Sequence, residues 1–288
     1  MTTSSLDGPV DLPRTPRAGG FELTSKPEPL RSLVREVWRA RELMWILARK
    51  EFFVRYRRTS FGLLWAVGLP LFQAAVLAGV FSKVIHIGSG KSFVVFVLAG
   101  VTPWSFFSFT LATASTAIVD NAAMSSKIYF PRIVLPIVTV LANLYGFLIT
   151  IPVLVGFSVI FGIMPSVSLV WLLPGVLLSA ALGGTLSVVL SALHVYFRDI
   201  RYLVQAALTG WIYLTPVIYP LSVIPRSLRW LVELNPATGP VELFRKALVG
   251  ADHSWALTVG VSCGWVVAFA LLAVLLHRRF DRQFADLM

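Results

Sequence analysis

The chain has 288 residues, of which 57% are hydrophobic and only 14% are charged, and its mean hydropathy is +0.78. This composition excludes an ordinary water-soluble globular domain. The net charge of +11 would suit nucleic acid, but in a membrane protein the position of each charge matters more than the sum. The single cysteine, Cys263, excludes an intramolecular disulfide and a zinc site built on cysteines.

The N-terminal part of the chain divides into two segments. Residues 1–30 are polar and rich in Pro, Ser and Gly, which predicts a disordered cytoplasmic tail rather than a cleavable signal peptide. Residues 31–60 interleave apolar and basic side chains, which predicts an amphipathic helix on the inner membrane surface. Residues 61–288 then form the membrane domain.

Six apolar runs are long enough to cross a hydrocarbon core of about 30 Å as helices. They are residues 61–82, 93–119, 133–161, 169–197, 202–219 and 255–276. Every Asp, Glu, Lys and Arg lies outside them, as expected when a charge at mid-bilayer costs several kcal/mol. We therefore predict an all-α integral membrane protein with six transmembrane helices.

The basic residues orient these spans. With the N-terminus inside, nineteen of the 25 Lys and Arg residues lie on the inner side and six on the outer side. The positive-inside rule then places both termini in the cytoplasm. This distribution explains the net charge without a nucleic-acid partner.

Two segments between or within the later spans carry glycine and proline signals. Residues 221–250 are apolar but broken by Pro225, Pro236 and Pro240, which predicts two short re-entrant helices in the outer leaflet between spans five and six. Gly260 and Gly264 lie four apart in the last span, a spacing that favours close helix packing.

Catalytic and metal-binding chemistry is not indicated. The four histidines are scattered, and the inner loops offer only the isolated carboxylates Asp120 and Asp199 where Mg²⁺ would need a cluster. Residues 88–92 end like a phosphate-binding loop, but Ile85 stands where its first glycine is required. We predict no catalytic residue, no metal and no cofactor on this chain.

Four sequence blocks carry a family resemblance. They are RYRRTSFGLLW at 55–65, NAAMSSKIYFPRIVLP at 121–136, YFRDI at 196–200, and TPVIYP at 215–220 followed by Asn-Pro at 235–236 and by Glu242 and Arg245. In this order they resemble the permease subunits of type-two ABC exporters of O-antigen, teichoic acid and capsular polysaccharide. The resemblance extends from about Leu43 to the C-terminus, and the Ala, Val, Arg and Trp bias is most similar to the galactan-exporting members of mycobacteria and their relatives.

The resemblance implies a mechanism and partners. The permease would be a homodimer with two copies of a separate ATPase, which binds the ATP and Mg²⁺, and it would move a lipid-linked polysaccharide. The residues that would couple it to the ATPase are Asn121, Lys127, Tyr129, Phe130, Pro131, Arg132, Arg198 and Asp199. The residues of the outer gate would be Asn235, Pro236, Glu242 and Arg245.

Two further residue sets would contact the substrate. Arg55, Arg57 and Arg58 would attract the diphosphate of a polyprenyl carrier, although they also mark the inner boundary of span one. The aromatic residues that would line the channel and stack on sugars are Phe61, Trp65, Phe72, Trp211 and Tyr219. The alternative for these rings is interfacial anchoring against lipid.

Two other functions stay open. A permease of the same fold can export a small hydrophobic molecule or drug, because fold alone does not decide the substrate. A membrane-embedded glycosyl- or phosphotransferase is a second alternative, which the absence of an acidic cluster disfavours.

Overall fold

The computed structural model describes residues 30–57, 59–83, 91–121, 132–164, 166–250 and 255–280, and all regular structure in these ranges is helical. Two helices, α1 (Leu30–Arg39) and α2 (Arg41–Tyr56), replace the single interface helix predicted for residues 31–60. They are separated at Ala40. Residues 1–29, with the predicted N-terminal tail, lie outside the described part of the chain.

The membrane domain follows as nine further α-helices within the described ranges. They are α3 (Leu64–Lys83), α4 (Lys91–Ala114), α5 (Ala117–Asp120), α6 (Val134–Ile160), α7 (Leu172–Tyr196), α8 (Ile200–Leu214), α9 (Arg226–Glu233), α10 (Thr238–Val249) and α11 (Trp255–Phe280). Short 3₁₀ helices at Val167–Trp171 and Leu221–Val223 precede α7 and α9.

Five of these helices are long and apolar enough to cross a membrane: α3, α4, α6, α7 with its preceding 3₁₀ turn, and α11. They correspond to five of the six predicted spans. The predicted span 202–219 is represented by α8, which has only 15 residues and a length of about 22 Å. The helix ends early because Thr215 is extended (φ −94°, ψ 136°), the conformation favoured before a proline such as Pro216.

The first span also begins later than predicted. Residues 59–63 form turns in place of helix, and Gly62 takes a left-handed conformation with φ of 52°. A side chain at this φ would be strained, and glycine avoids that strain. The chain therefore turns here between α2 and α3.

Helices α4, α6 and α7 form the buried centre of the domain. More than half of the residues in their most apolar stretch are buried, whereas only 11% are buried in α3 and in α11. Phe106 of α4 stacks on Phe147 of α6 with 4.4 Å between ring centroids, and Phe147 lies 5.7 Å from Phe244 of α10. Helix α10 is thus part of this centre, while α3 and α11 lie at its edges.

The packing around glycines differs between the segment that follows α8 and the last span, α11. A Cβ added to Gly100 of α4 would clash with the carbonyl oxygen of Val217, and one on Gly239 would clash with Ser262 of α11. Within the described residues no neighbouring atom lies within 4 Å of a Cβ built on Gly260 or Gly264. Among the residues that the structure describes, these two glycines have no close packing partner, because that face of α11 lies at the edge of the domain.

Candidate functional site

Three cavities follow one another along α8. Named for the orientation that the sequence predicts, the inner cavity has a volume of about 580 Å³, the central cavity about 490 Å³, and the outer cavity about 420 Å³. Helix α8 lines the inner cavity with Arg201 and Gln205, the central cavity with Gln205, Leu208 and Thr209, and the outer cavity with Trp211, Tyr213 and Leu214. One 15-residue helix therefore forms a wall of all three.

The central cavity lies among α2, α3, α4, α6 and α8, and its lining is amphipathic. Gln73, Ser105, Ser108 and Thr150 contribute polar groups at levels where the helices are otherwise apolar. Ser105 donates a hydrogen bond to the side-chain oxygen of Gln73, with 3.1 Å between the oxygens. Polar groups inside a membrane protein are costly unless they face a cavity or each other, so this lining is suited to a polar guest.

Arg55 connects helix α2 to α6 at the wall of the central cavity. Its Nη1 donates to Oδ1 of Asn143 at 2.6 Å, and its Nη2 donates to Oε1 of Glu51 at 3.2 Å. Thr139 donates to the other oxygen of Glu51 at 3.3 Å, and the guanidinium carbon lies 5.0 Å from the ring centre of Phe109. Burial raises the pKa of the Glu51 carboxyl, and the neighbouring Arg55 charge opposes that rise only in part.

The inner cavity is lined by charges of both signs, namely Lys50, Glu51, Asp120 and Arg201. Arg201 Nη2 lies 2.7 Å from Asp120 Oδ1, and Thr116 donates to the other Asp120 oxygen at 2.6 Å. This ion pair joins α5, which directly precedes the predicted coupling segment, to the inner end of α8. In the described part of the chain no three His, Cys, Asp or Glu side chains gather where they could hold a metal ion.

Asn235 holds the outer end of α8. Its side-chain oxygen accepts hydrogen bonds from Trp211 Nε1 and from the Ala237 amide, each at 3.0 Å. Its Nδ2 donates to the Leu214 carbonyl at 3.1 Å and to Thr215 Oγ1 at 2.9 Å. One amide thus caps an otherwise unsatisfied carbonyl at the helix C-terminus and fixes the segment that follows.

Arg245 is a fully buried charge behind that same segment. Its side chain is paired with Glu242 at 2.8 Å, and the two residues are 1% and 3% exposed. Its Nη2 donates to the Val217 carbonyl at 3.0 Å and, more weakly, to the Tyr219 carbonyl at 3.4 Å. The guanidinium carbon lies 3.8 Å from the ring centre of Phe96. Arg245 therefore ties α10, α4 and the chain beyond α8 together.

The predicted coupling residues are only partly within the described structure. Lys127, Tyr129, Phe130 and Pro131 lie outside the described residues. Asn121 and Arg132, on either side of them, are half-buried, and Arg198 and Asp199 are exposed in the turn between α7 and α8.

The predicted substrate-contacting residues are distributed more widely. Trp65 lines the central cavity, and Trp211 and Tyr219 line the outer cavity. Phe61 and Phe72 are exposed and are not among the lining residues of the three cavities. Arg55 lines the central cavity. Of the remaining two arginines, Arg57 is exposed at the end of α2, and Arg58 lies outside the described residues.

Asp120, Arg201 and Asn143 are among the residues of these networks that the sequence motifs did not single out. Asp120 and Arg201 are opposite charges at the inner ends of two predicted spans, and Asn143 is a polar amide in the middle of a third. Polar residues at such positions indicate a possible contact. The pairing of Asp120 with Arg201, 81 residues apart, and of Asn143 with Arg55, 88 residues apart, was visible only in the structure.

Comparison with known proteins identifies the family. Residues 42–249 match the ABC-2 type transporter family. The chain is 26% identical over 252 residues to the O-antigen export system permease protein RfbA of Klebsiella pneumoniae, which covers 86% of this chain and 95% of that protein. It is 33% identical over 208 residues to the protein of the same name from Myxococcus xanthus, with 71% and 79% covered.

A third relative is the polysialic acid transport protein KpsM of Escherichia coli, 27% identical over 236 residues, with 78% of this chain and 86% of that protein covered. These relatives are named as permease or transport proteins, which confirms the prediction of a transport subunit rather than an enzyme. With five helices able to cross a membrane, the chain is a multi-pass membrane protein, and it belongs to the ABC-2 type transporter family.

Proposed function

We propose that this chain is the membrane subunit of an ATP-driven exporter that moves polyprenyl-diphosphate-linked polysaccharide across the inner membrane. The relatives named for O-antigen export and polysialic acid transport support a polysaccharide cargo. The compositional similarity noted above makes a galactan our choice among such cargoes. In this proposal two copies of the chain work with two copies of a separate ATPase, which carries the ATP and Mg²⁺.

The observation that carries the proposal is the succession of three cavities along α8. A sugar chain has polar hydroxyls and apolar C–H faces, and the central cavity offers both polar side chains and apolar surface. Trp65, Trp211 and Tyr219 add aromatic rings on which C–H faces can pack. Stacking of this kind requires no fixed hydrogen-bond pattern, so the glycan can slide.

The path would be completed by elements at both ends. Helix α8 and the extended segment up to Tyr219 would make the sixth crossing, with α9 and α10 re-entering the outer leaflet and both chain termini inside. The outer gate would then consist of Asn235, Pro236, Glu242 and Arg245. Asn235 hydrogen-bonds the end of α8, and Arg245 hydrogen-bonds the segment that follows it. The exposed face of α8 would meet the second copy across the path.

Coupling and substrate capture would occur at the inner end. The ATPase would dock against the segment between Asn121 and Arg132 and against the exposed turn at Arg198 and Asp199. The arginines at the end of α2, Arg55 among them, would draw the diphosphate of the carrier towards the central cavity.

Reconstitution tests this function. The chain and its candidate ATPase are placed in proteoliposomes, and ATP hydrolysis and the appearance of glycan on the opposite face are measured with lipid-linked polysaccharide or with hydrophobic drugs. We expect only the glycan to stimulate hydrolysis and to cross, and chelation of Mg²⁺ to abolish both. Stimulation by drugs alone would favour a small-molecule exporter, and sugar or phosphate transfer without ATP would indicate a transferase.

A further inference from the structure

The ion pair between Glu51 and Arg55 stands between two of the cavities. Arg55 lines the central cavity, and Glu51 lines the inner cavity. Ala112 and Gln205 line both, so the two spaces adjoin at the level of this pair. A group that passes from the inner to the central cavity therefore passes these two side chains.

The two arms of the Arg55 guanidinium are held unequally. The Nη1 arm makes a short hydrogen bond of 2.6 Å to Asn143, whereas the Nη2 arm reaches Glu51 at 3.2 Å. Asn143 is only 5% exposed, and its Nδ2 donates to Thr113 at 2.9 Å, which directs its oxygen towards Arg55. Bonds between two charged groups are ordinarily about 2.7–2.9 Å long, so the Glu51 arm is the weaker one.

Glu51 is also poorly compensated as a charge. Its second oxygen accepts a long hydrogen bond of 3.3 Å from Thr139, and burial raises the pKa of its carboxyl despite the adjacent arginine. Desolvation of the carboxylate therefore outweighs the attraction to Arg55. An anion with more oxygen atoms and a higher charge would bind this guanidinium more strongly than the Glu51 carboxylate does.

The surroundings of Arg55 suit the headgroup of a lipid. Trp65 and Leu69 line the central cavity and are themselves 42% and 58% exposed, so the cavity is open beside α3. A hydrocarbon chain can lie along this exposed apolar surface while its polar head enters the cavity. The cavity volume of about 490 Å³ lies within the usual range of roughly 300–1,000 Å³ for small-molecule sites.

We propose that Arg55 binds a phosphate group of a lipid in the central cavity, and that Glu51 is the resident counter-ion which this phosphate displaces. Asn143 keeps the guanidinium in place during the exchange, so the site is preformed. When no lipid is bound, the Glu51–Arg55 pair closes the boundary between the two cavities. This inference rests on the proposed export function and adds to it the residue that regulates occupancy of the site.

Binding of farnesyl diphosphate to the purified full-length chain in phosphatidylcholine nanodiscs, measured by calorimetry, tests the exchange. Arg55→Gln should weaken binding about tenfold or more, and Glu51→Gln should strengthen it about tenfold, because the competing charge is gone. Arg49→Gln is the matched control: it removes one positive charge from an exposed position on the same helix and should change the affinity by less than about twofold.

The outcomes separate the alternatives. Unchanged or weaker binding in Glu51→Gln, or equal losses in Arg49→Gln and Arg55→Gln, would overturn the proposal. Competition by phosphatidylglycerol added to the nanodiscs would support the phosphate site but overturn a diphosphate carrier as its occupant. A failure of Arg55→Gln to fold leaves the gain in Glu51→Gln as an independent readout. Because neither ATPase nor glycan is present, this test can fail while the export assay succeeds, or the reverse.

Discussion

Replacing Arg245 with alanine should destabilise the protein by about 3–5 kcal/mol, because it leaves Glu242 as a buried charge without a partner. Both side chains are almost fully buried, and their ion pair is 2.8 Å long. The substitution also removes the donor to the Val217 carbonyl, and a buried acceptor left unsatisfied costs about 1–3 kcal/mol. The expected loss therefore lies at the upper end of the range.

The double variant Glu242→Leu with Arg245→Met separates the contribution of the buried charges to the free energy of unfolding from that of side-chain packing. Apolar replacement of a whole buried pair is often neutral or stabilising, so only the unpaired carbonyl remains, at about 1–3 kcal/mol. The double variant should thus be more stable than Arg245→Ala alone. A second substitution that restores stability in this way is not expected for residues that contribute only packing.

Unfolding of the purified chain in mixed detergent micelles, followed by tryptophan fluorescence, measures these differences. The control is Arg229→Ala, which removes an arginine from the more exposed 2.9 Å ion pair with Glu233 on α9 and should cost about 0–1 kcal/mol. Equal losses in Arg245→Ala and Arg229→Ala, or a double variant less stable than the single one, would refute the reasoning.

Three other predictions concern the remaining contacts. Gly100→Ala should destabilise the chain by about 1–3 kcal/mol in the same assay, since its Cβ would clash with the Val217 carbonyl. Burial raises the pKa of Glu51, so the folded chain holds this proton more tightly than the unfolded chain does. Stability should therefore fall as pH rises from the ordinary pKa of 4.5 through the raised value, and thermal melts of Glu51→Gln across pH should lack this component. Reversing either charge of the exposed Asp120–Arg201 pair should lower transport in the reconstituted complex, and reversing both should restore it; a double variant no better than the singles would rule the pair out as a link.

The spans were the most predictable part of the fold. An apolar run of about 20 residues in a bilayer has essentially one solution, a helix that satisfies its own backbone. The run at 202–219 predicts a helix that is longer than α8, because apolar residues continue past the end of the helix. Pro216 indicates where the helix stops. Apolar composition predicts which segments can lie in lipid, and a proline predicts where the helix ends.

The sequence indicated single residues of the candidate site but not their partners. Arg55 and Arg245 stand out in the sequence because charges are rare in so apolar a chain. Their partners Asn143 and the Val217 carbonyl lie 88 and 28 residues away, and no local pattern encodes such pairings. A backbone carbonyl in particular has no sequence signature, so its role in holding Arg245 emerges only from the packing of α10 against α4.

Helix α8 is anchored at its two ends, and Val204 is the one residue along it that is buried. In the proposed export path, substitutions at the exposed residues Gln205 or Thr209 therefore alter the surface that a passing molecule meets without repacking the interior. Substitutions on this one helix can therefore change the cargo while the fold of the remaining helices is preserved. The same freedom makes α8 the natural place at which to redesign what the protein carries.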